Sequence, residues 1–282
     1  MTIALETDSP LHETGKDEAA RPRKIRRSLH DTAAISAATL AGLIGLWFAT
    51  SASGLASPLF LPSPLEVLTQ LHAIAIDGYA EGTLLDHILA SGGRICAALF
   101  LGAAFGIPLG LLMGMNRWAK GILGVPIDLY WGLPPLAYLP LLIIWLGIGE
   151  ASKLLLLSLA TFAPICYAAQ AGVRSVPTER INAARSLGAT PLQVFRTIVF
   201  PSALPEILTG FRIAIGASLS TLVAAELIAA RSGLGYMIMS AANFLATDVV
   251  FVGLVVIAAF AFLLAAAMKW AERRLVPWKG KL

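Results

Sequence analysis

Long apolar blocks alternate with polar connections along the chain. Each block has roughly 20 residues, about the number a helix rising 1.5 Å per residue needs to cross the hydrocarbon core of a bilayer. Six blocks are read as spans: Thr32 to Thr50, Leu89 to Met115, Ile122 to Leu146, Lys153 to Val173, Ile207 to Leu227 and Val250 to Met268. The pattern therefore predicts an all-α, polytopic membrane protein with six transmembrane helices. Pro126, Pro134, Pro135 and Pro140 fall in the third block. They predict a kink or a break there, because each ring removes a backbone donor and crowds the preceding turn. Gly102, Gly106, Gly110 and Gly114 recur every four residues in the second block, forming a smooth strip that lets helices approach closely. Packing within the subunit is the preferred reading of that strip over a pore lining.

Composition agrees with this pattern: 57% of residues are hydrophobic and 13% charged, with a mean hydropathy of +0.77. An average soluble domain carries about a quarter charged residues. The positive charges are segregated. Lys16, Arg21, Arg23, Lys24, Arg26 and Arg27 precede the first block, Arg117 and Lys120 separate the second and third, and Arg174, Arg180, Arg185 and Arg196 follow the fourth. Lys269, Arg273, Arg274, Lys279 and Lys281 follow the sixth, whereas the alternate loops hold almost none. The positive-inside rule puts both termini in the cytoplasm, as an even number of crossings requires. A pI near 9.2 follows from this topology and does not point to nucleic acid. The first block is longer than a secretion-signal core and follows a polar stretch, so it is read as a span. Met1 to Arg27 run from acidic to basic without apolar periodicity and are expected to be a disordered tail. The expected organisation is a cytoplasmic tail (1–31), a first span with an outer loop (32–87), a transmembrane domain (88–272) and a cytoplasmic C-terminal tail (273–282).

The connection after the fourth block, 174–206, is long for a helix connection, and loops of about 30 residues usually have structure or function. Pro177 suits a first helical turn, and Ile181, Ala184 and Leu187 recur at helical spacing. Gly188 can end that helix in a left-handed conformation. Thr190, Pro191, Leu192 and Gln193 then form a capping box with proline at the first helical position. Leu192, Phe195 and Val199 make an apolar stripe on a second helix, which Pro201 is expected to end. A capped helix pair facing the cytoplasm suits a soluble partner that pushes on the membrane domain.

Catalytic chemistry is missing from the pattern. Cys96 and Cys166 lack the spacing of a metal or redox pair. His12, His30, His72 and His87 lie outside the predicted spans without metal-ligand spacing, which argues against a histidine proton relay. Gly216 to Ser220 resembles a nucleophile elbow without its last glycine. Gly15 and Lys16 lack the first glycine of a phosphate loop, so ATP, if used, must bind another chain. No cofactor or metal is expected.

The connecting segment resembles the signature cytoplasmic loop of binding-protein-dependent ABC permeases: Glu-Ala-Ala, three residues, Gly, nine residues, Ile, one residue, Leu-Pro. Ala183, Ala184, Gly188, Ile198 and Pro201 fall in register, while Asn182 stands for the glutamate and Phe200 for the leucine. The segments Ser57 to Pro62, Leu133 to Glu150, Ala203 to Gly210 and Phe244 to Asp248 are similar to permeases for taurine, alkanesulfonates and nitrate. Ser220 to Ala230 and Val276-Pro277-Trp278 are most similar to the taurine branch. The resemblance implies the type I ABC importer permease fold in a bacterial inner membrane. It also implies a homodimer of permeases, an ABC ATPase dimer docked on the coupling loop, a periplasmic solute-binding protein and surrounding lipid.

Charge inside the spans is scarce and therefore worth tracing. Arg94 and Glu226 are expected near the outer ends of the second and fifth spans, within snorkelling reach of interfacial water. Glu226 stays open between a structural partner and a gate residue. Asp128 and Arg212, near the inner ends, are read as structural. Ser218, Ser220 and Thr221 join Glu226 as gate or pathway candidates, and Tyr130, Trp131, Tyr138, Trp145, Tyr167 and Gln170 offer further hydrogen bonds without charge. The competing readings are an ion-coupled secondary transporter or channel for a small anion, which would normally place coupling carboxylates at mid-membrane, and an intramembrane enzyme.

Overall fold

The computed structural model describes residues 29–54 and 57–278. The readings made on Met1 to Arg27, on Gly15-Lys16 and on Lys279 and Lys281 lie outside the described residues. All regular structure among the described residues is helical: α1 (Leu29–Ala52), α2 (Pro64–Asp77), α3 (Leu84–Met115), α4 (Arg117–Trp131), α5 (Leu139–Leu146), α6 (Glu150–Arg174), α7 (Thr178–Ser186), α8 (Pro191–Val194), α9 (Phe200–Ala229), α10 (Leu234–Asn243) and α11 (Thr247–Leu275). A 3₁₀ turn (Pro135–Tyr138) precedes α5, and a π turn (Phe195–Val199) joins α8 to α9. Among the described residues, five helical segments are long and apolar enough to cross a membrane, and the count is six if α4 and the bent Pro135–Leu146 segment are taken as one span.

The chain divides into 1–46 and 47–282. In the first unit the side chains of α1 from Ala34 to Leu46 are exposed all round, as suits a helix meeting lipid. In the second unit α6 is the central helix, with Leu156, Leu157, Ala160, Ala163, Ile165, Cys166 and Ala169 almost wholly covered. α3 packs along one side of it and α9 along another, and α11 closes on α9, α10 and α2. The glycine strip explains the closeness of α3. A side chain at Gly102 would strike Thr161, at Gly106 Phe162, at Gly110 Cys166 and Ala169, and at Gly114 Val173, all on α6. The strip is thus a packing surface within the subunit, where van der Waals contact replaces the hydrophobic effect as the source of cohesion.

The third span is broken more sharply than a kink: α4 and the Pro135–Leu146 segment meet at 91°. The physical cause is the pair Pro134-Pro135. A residue before proline is pushed out of the helical region, and Pro134 adopts φ −59°, ψ 129°. The break is braced from α6, since the Tyr130 hydroxyl donates to the Leu159 carbonyl and Tyr138 Oη donates to the Tyr130 carbonyl at 3.2 Å. Asp128 accepts from the Tyr167 hydroxyl, also on α6.

Two helices lie in connections read as loops. α2 starts at a capping box in which Ser63 N–H donates to Glu66 Oε2 at 2.7 Å and Glu66 N–H to Ser63 Oγ at 3.2 Å. α10 starts at Gly233. Pro201 does not end a helix: α8, the π turn and α9 follow one another without interruption. In the π turn the Phe200 N–H reaches back five residues to the Phe195 carbonyl, and this wider turn accommodates a proline that has no donor and needs room for its ring.

Candidate functional site

The loop between α6 and α9 is built from local signals. α7 closes in a Schellman motif: Ala189 N–H donates to the Ala184 carbonyl at 3.1 Å and Gly188 N–H to the Arg185 carbonyl at 2.9 Å. Gly188 lies at φ +82°, where a Cβ would be strained. Two residues on, Thr190 N–H donates to Gln193 Oε1 at 2.8 Å, and Gln193 N–H to Thr190 Oγ1 at 3.4 Å, opening α8. The expected sequence of stop, turn and restart is present.

The two halves of the loop differ in anchoring. Val194 and Val199 are buried, and Phe195 packs against Leu111, Ala169, Ala203 and Ile207 of the membrane body. Ile198 and Pro201 are half-buried beside them. α7 has no buried residue. Asn182 and Ala183 are exposed, Ala184 is half-buried, and a cavity of about 320 Å³ separates Ile181 and Arg185 from Gly114, Val173 and Val194. Leu187, which recurs at helical spacing with Ile181 and Ala184, is 89% exposed, and Leu192, read as part of the apolar stripe on the second helix, is exposed while Phe195 and Val199 pack inward. The loop therefore offers a small apolar surface with exposed polar neighbours on a firmly seated second segment.

At the opposite end of α9 the structure assembles an ion network that is buried at Glu226, Arg94 and Lys153 and open at Glu150, whose side chain is 64% exposed. Glu226 is not snorkelling: its side chain is 0% exposed. Its carboxylate accepts from Arg94 Nη1 at 2.5 Å, from Ser91 Oγ at 2.8 and 3.0 Å, and from the Gly235 N–H at 2.8 Å. That last bond sits on the first turn of α10, where helix-terminal N–H groups favour a carboxylate. Arg94, 7% exposed, is also buried rather than snorkelling. Its Nε and Nη2 donate to both oxygens of Glu150 at 2.7 and 2.8 Å, and Nη1 and Nη2 also donate to the Ser232 carbonyl and Oγ at 2.9 and 3.1 Å. All five guanidinium donors are thereby used. Lys153 Nζ donates to Glu150 Oε1 at 2.5 Å, so two cations face two carboxylates. Burial of Arg94, Lys153 and Glu226 forces this pairing, because an unmatched charge there would lose its hydration without compensation.

His87 corrects the placement of the histidines outside the spans: α3 begins at Leu84, and His87 is buried in its first turn. Its Nδ1 accepts from the Gly233 N–H at 3.1 Å and its Nε2 lies 2.9 Å from the Tyr79 carbonyl, which sets the Nε2-protonated tautomer. Both nitrogens are used in holding the loop before α10. Side chains at Gly233 or Gly235 would collide with Glu226, so the loop wraps the carboxylate at close range.

The other pathway candidates are distributed. Ser218 and Thr221 are buried and donate to the Ile215 and Ala217 carbonyls of their own helix, both at 2.9 Å. Ser220 is exposed and donates to the Gly216 carbonyl at 3.3 Å. Gln170 Nε2 is buried without a hydrogen-bond partner among the described residues. Arg212 pairs with Glu272 at 2.6 Å, in keeping with a structural role. Ser91, Glu150, Ser232 and His87 are the network members that sequence reasoning did not join to Glu226. The available signal was the coincidence of Arg94, Glu150, Lys153 and Glu226 at the ends of three apolar blocks, with balanced charge.

Comparison with known proteins agrees with this architecture. The taurine transport system permease protein TauC of Escherichia coli (strain K12) is 52% identical over 264 residues, covering 93% of this chain and 96% of that protein. The putative aliphatic sulfonates transport permease protein SsuC of the same strain is 35% identical over 237 residues, covering 84% and 89%. Among solved structures, the MetNI methionine ABC transporter in inward facing conformations superposes with a TM-score of 0.60 at 20% identity, covering 68% of this chain and 95% of that one. The fold is that of a type I importer permease. Residues 106–277, which contain the loop and the inner helices, match the binding-protein-dependent transport system inner membrane component. The chain belongs to that family, the membrane-spanning permeases of ABC transporters.

Proposed function

We propose that this permease carries taurine or a closely related small sulfonate inward. Its expected setting is a homodimer, with two ATPase subunits on the α7–α8 face and a soluble binding protein on the opposite side, and with both termini in the cytoplasm. The observation that carries the substrate class is the 52% identity to a taurine permease along nearly the whole chain, against 35% to an aliphatic sulfonate permease. The loop geometry supports the mode of coupling. α8, the π turn and α9 are continuous, so a push on the loop travels along α9 towards Glu226. There the ends of α3 and α6 are tied to α9 through Arg94 and Glu150. Movement of α9 must therefore either carry those ends with it or rearrange the network, which makes the network a natural outer gate.

An ion-coupled transporter needs a carboxylate that can exchange partners with the coupling ion. Glu226 accepts from three protein donors, Ser91, the Gly235 N–H and the Arg94 guanidinium that also supplies its counter-charge, so the protein itself fills the place a coupling ion would take. The test is taurine uptake into cells lacking their own taurine permease, with the cognate ATPase and binding protein co-expressed. Uptake that requires both partners is expected. Uptake without the ATPase would overturn the ABC mechanism, and uptake of nitrate but not of sulfonates would overturn the substrate. Cysteine labelling from outside should reach a probe at exposed Asp77 and not one at exposed Ser186 in a variant lacking the native cysteines; the reverse would overturn the topology.

A further inference from the structure

A cavity of about 410 Å³ opens between α9 and α11, away from the loop and the network, lined by Arg212, Lys269, Glu272, Arg273, Val276 and Pro277. Three cations and one carboxylate line it. Glu272 accepts from Arg212 Nη2 at 2.6 Å, and the Arg212 side chain remains 56% exposed. Lys269 and Arg273 are exposed, lie one helical turn apart on the same face of α11, and form no ion pair among the described residues. The cavity therefore has an excess of positive charge held on two different helices.

Its depth is fixed by the sequence of α11. The helix is apolar from Val249 to Met268, about 30 Å at 1.5 Å per residue, and Lys269 is the first charge beyond that run. Trp270, next to it, is 64% exposed, and the Arg274 guanidinium lies 5.6 Å from its ring centroid. Tryptophan beside basic residues is the usual composition of the membrane–water boundary. Val276, buried, and Pro277 give the cavity an apolar wall.

We propose that this cavity binds the phosphate of an anionic phospholipid headgroup, with Lys269 and Arg273 receiving its oxygens and Arg212 closing the rim. The chemistry is charge-assisted hydrogen bonding to a phosphodiester, for which guanidinium and ammonium groups are suited. Its location at the end of the apolar run, where headgroups are concentrated, favours lipid over a soluble phosphate. Assignment to the cytoplasmic leaflet rests on the topology proposed above, but binding itself does not depend on it.

Native mass spectrometry of the full-length chain in detergent tests this. Phosphatidylglycerol and phosphatidylcholine with the same acyl chains are titrated, with inorganic phosphate and taurine as soluble competitors. The expected result is one phosphatidylglycerol bound about tenfold more tightly than phosphatidylcholine, a preference lost in Lys269→Ala/Arg273→Ala and kept in Arg274→Ala, whose side chain does not line the cavity. Both variants change exposed residues, and unchanged thermal unfolding would certify their fold. Equal affinity for the two lipids, or an undiminished preference in the double variant, would overturn the proposal. Displacement of phosphatidylglycerol by equimolar phosphate or taurine would overturn it in favour of a soluble-anion site. A failure of taurine uptake would leave this result standing, so the two readings are separable.

Discussion

The two ends of α9 are held by opposite means. At one end buried Glu226 lies in a charge-balanced network, open to solvent at Glu150, in which all five donors of Arg94 are used. At the other end the helix runs through a π turn into a loop anchored by Val194, Phe195 and Val199, beyond which α7 buries nothing. A buried ion network resists piecemeal change, since loss of one partner strands another charge. An apolar seat with an exposed arm tolerates change in shape at little cost. On the coupling proposed above, the loop end would take up movement and the network end would convert it into a discrete rearrangement.

The largest effect should come from Arg94→Ala. It leaves Glu226 buried beside only Ser91 and the Gly235 N–H, and should cost about 3–5 kcal/mol. Thermal unfolding in detergent would measure this. Replacing both charges, Arg94→Met with Glu226→Met, should recover part of the loss, because no unpaired carboxylate remains at that site. A single variant as stable as the parent would break the comparison by removing the tie from the network end.

An intermediate effect is expected for Gly188→Val. The left-handed conformation costs an L-residue about 1–2 kcal/mol, and β-branching adds to that. Because α7 contributes nothing to the core, the fold should survive while the Schellman turn is lost. Reconstituted transporter should show at least a tenfold fall in substrate-stimulated ATP hydrolysis, an effect equivalent to about 1.4 kcal/mol. Parent-like stimulation in the assembled variant would show that the turn is not part of the coupling path.

The smallest effect on stability, and a sharp one on assembly, is expected for Leu187→Glu. The side chain is 89% exposed, so unfolding should change by no more than about 0.5 kcal/mol. If the apolar tip docks in a partner, co-purification of the ATPase should drop severalfold. Retention of the ATPase at parent levels would move the docking surface away from α7.

Much of this was legible in the sequence wherever local physics decides. Block length defined the spans, Gly188 and the Thr190–Gln193 box defined the loop's turn, and the four-residue glycine period defined the face of α3 that meets α6. Each rests on backbone rules that act within a turn or two of helix. Only the tertiary structure decided that Arg94 reaches both Glu150 and Glu226, partners 56 and 132 residues away, that His87 braces the loop at Gly233, and that Leu187 faces outward. It also decided that Pro201 continues a helix, through a π turn that no residue in the sequence announces. The physical reason is one of range: caps, turns and apolar lengths are set by neighbours along the chain, whereas the partner of a buried charge is set by which helix ends the packing brings together.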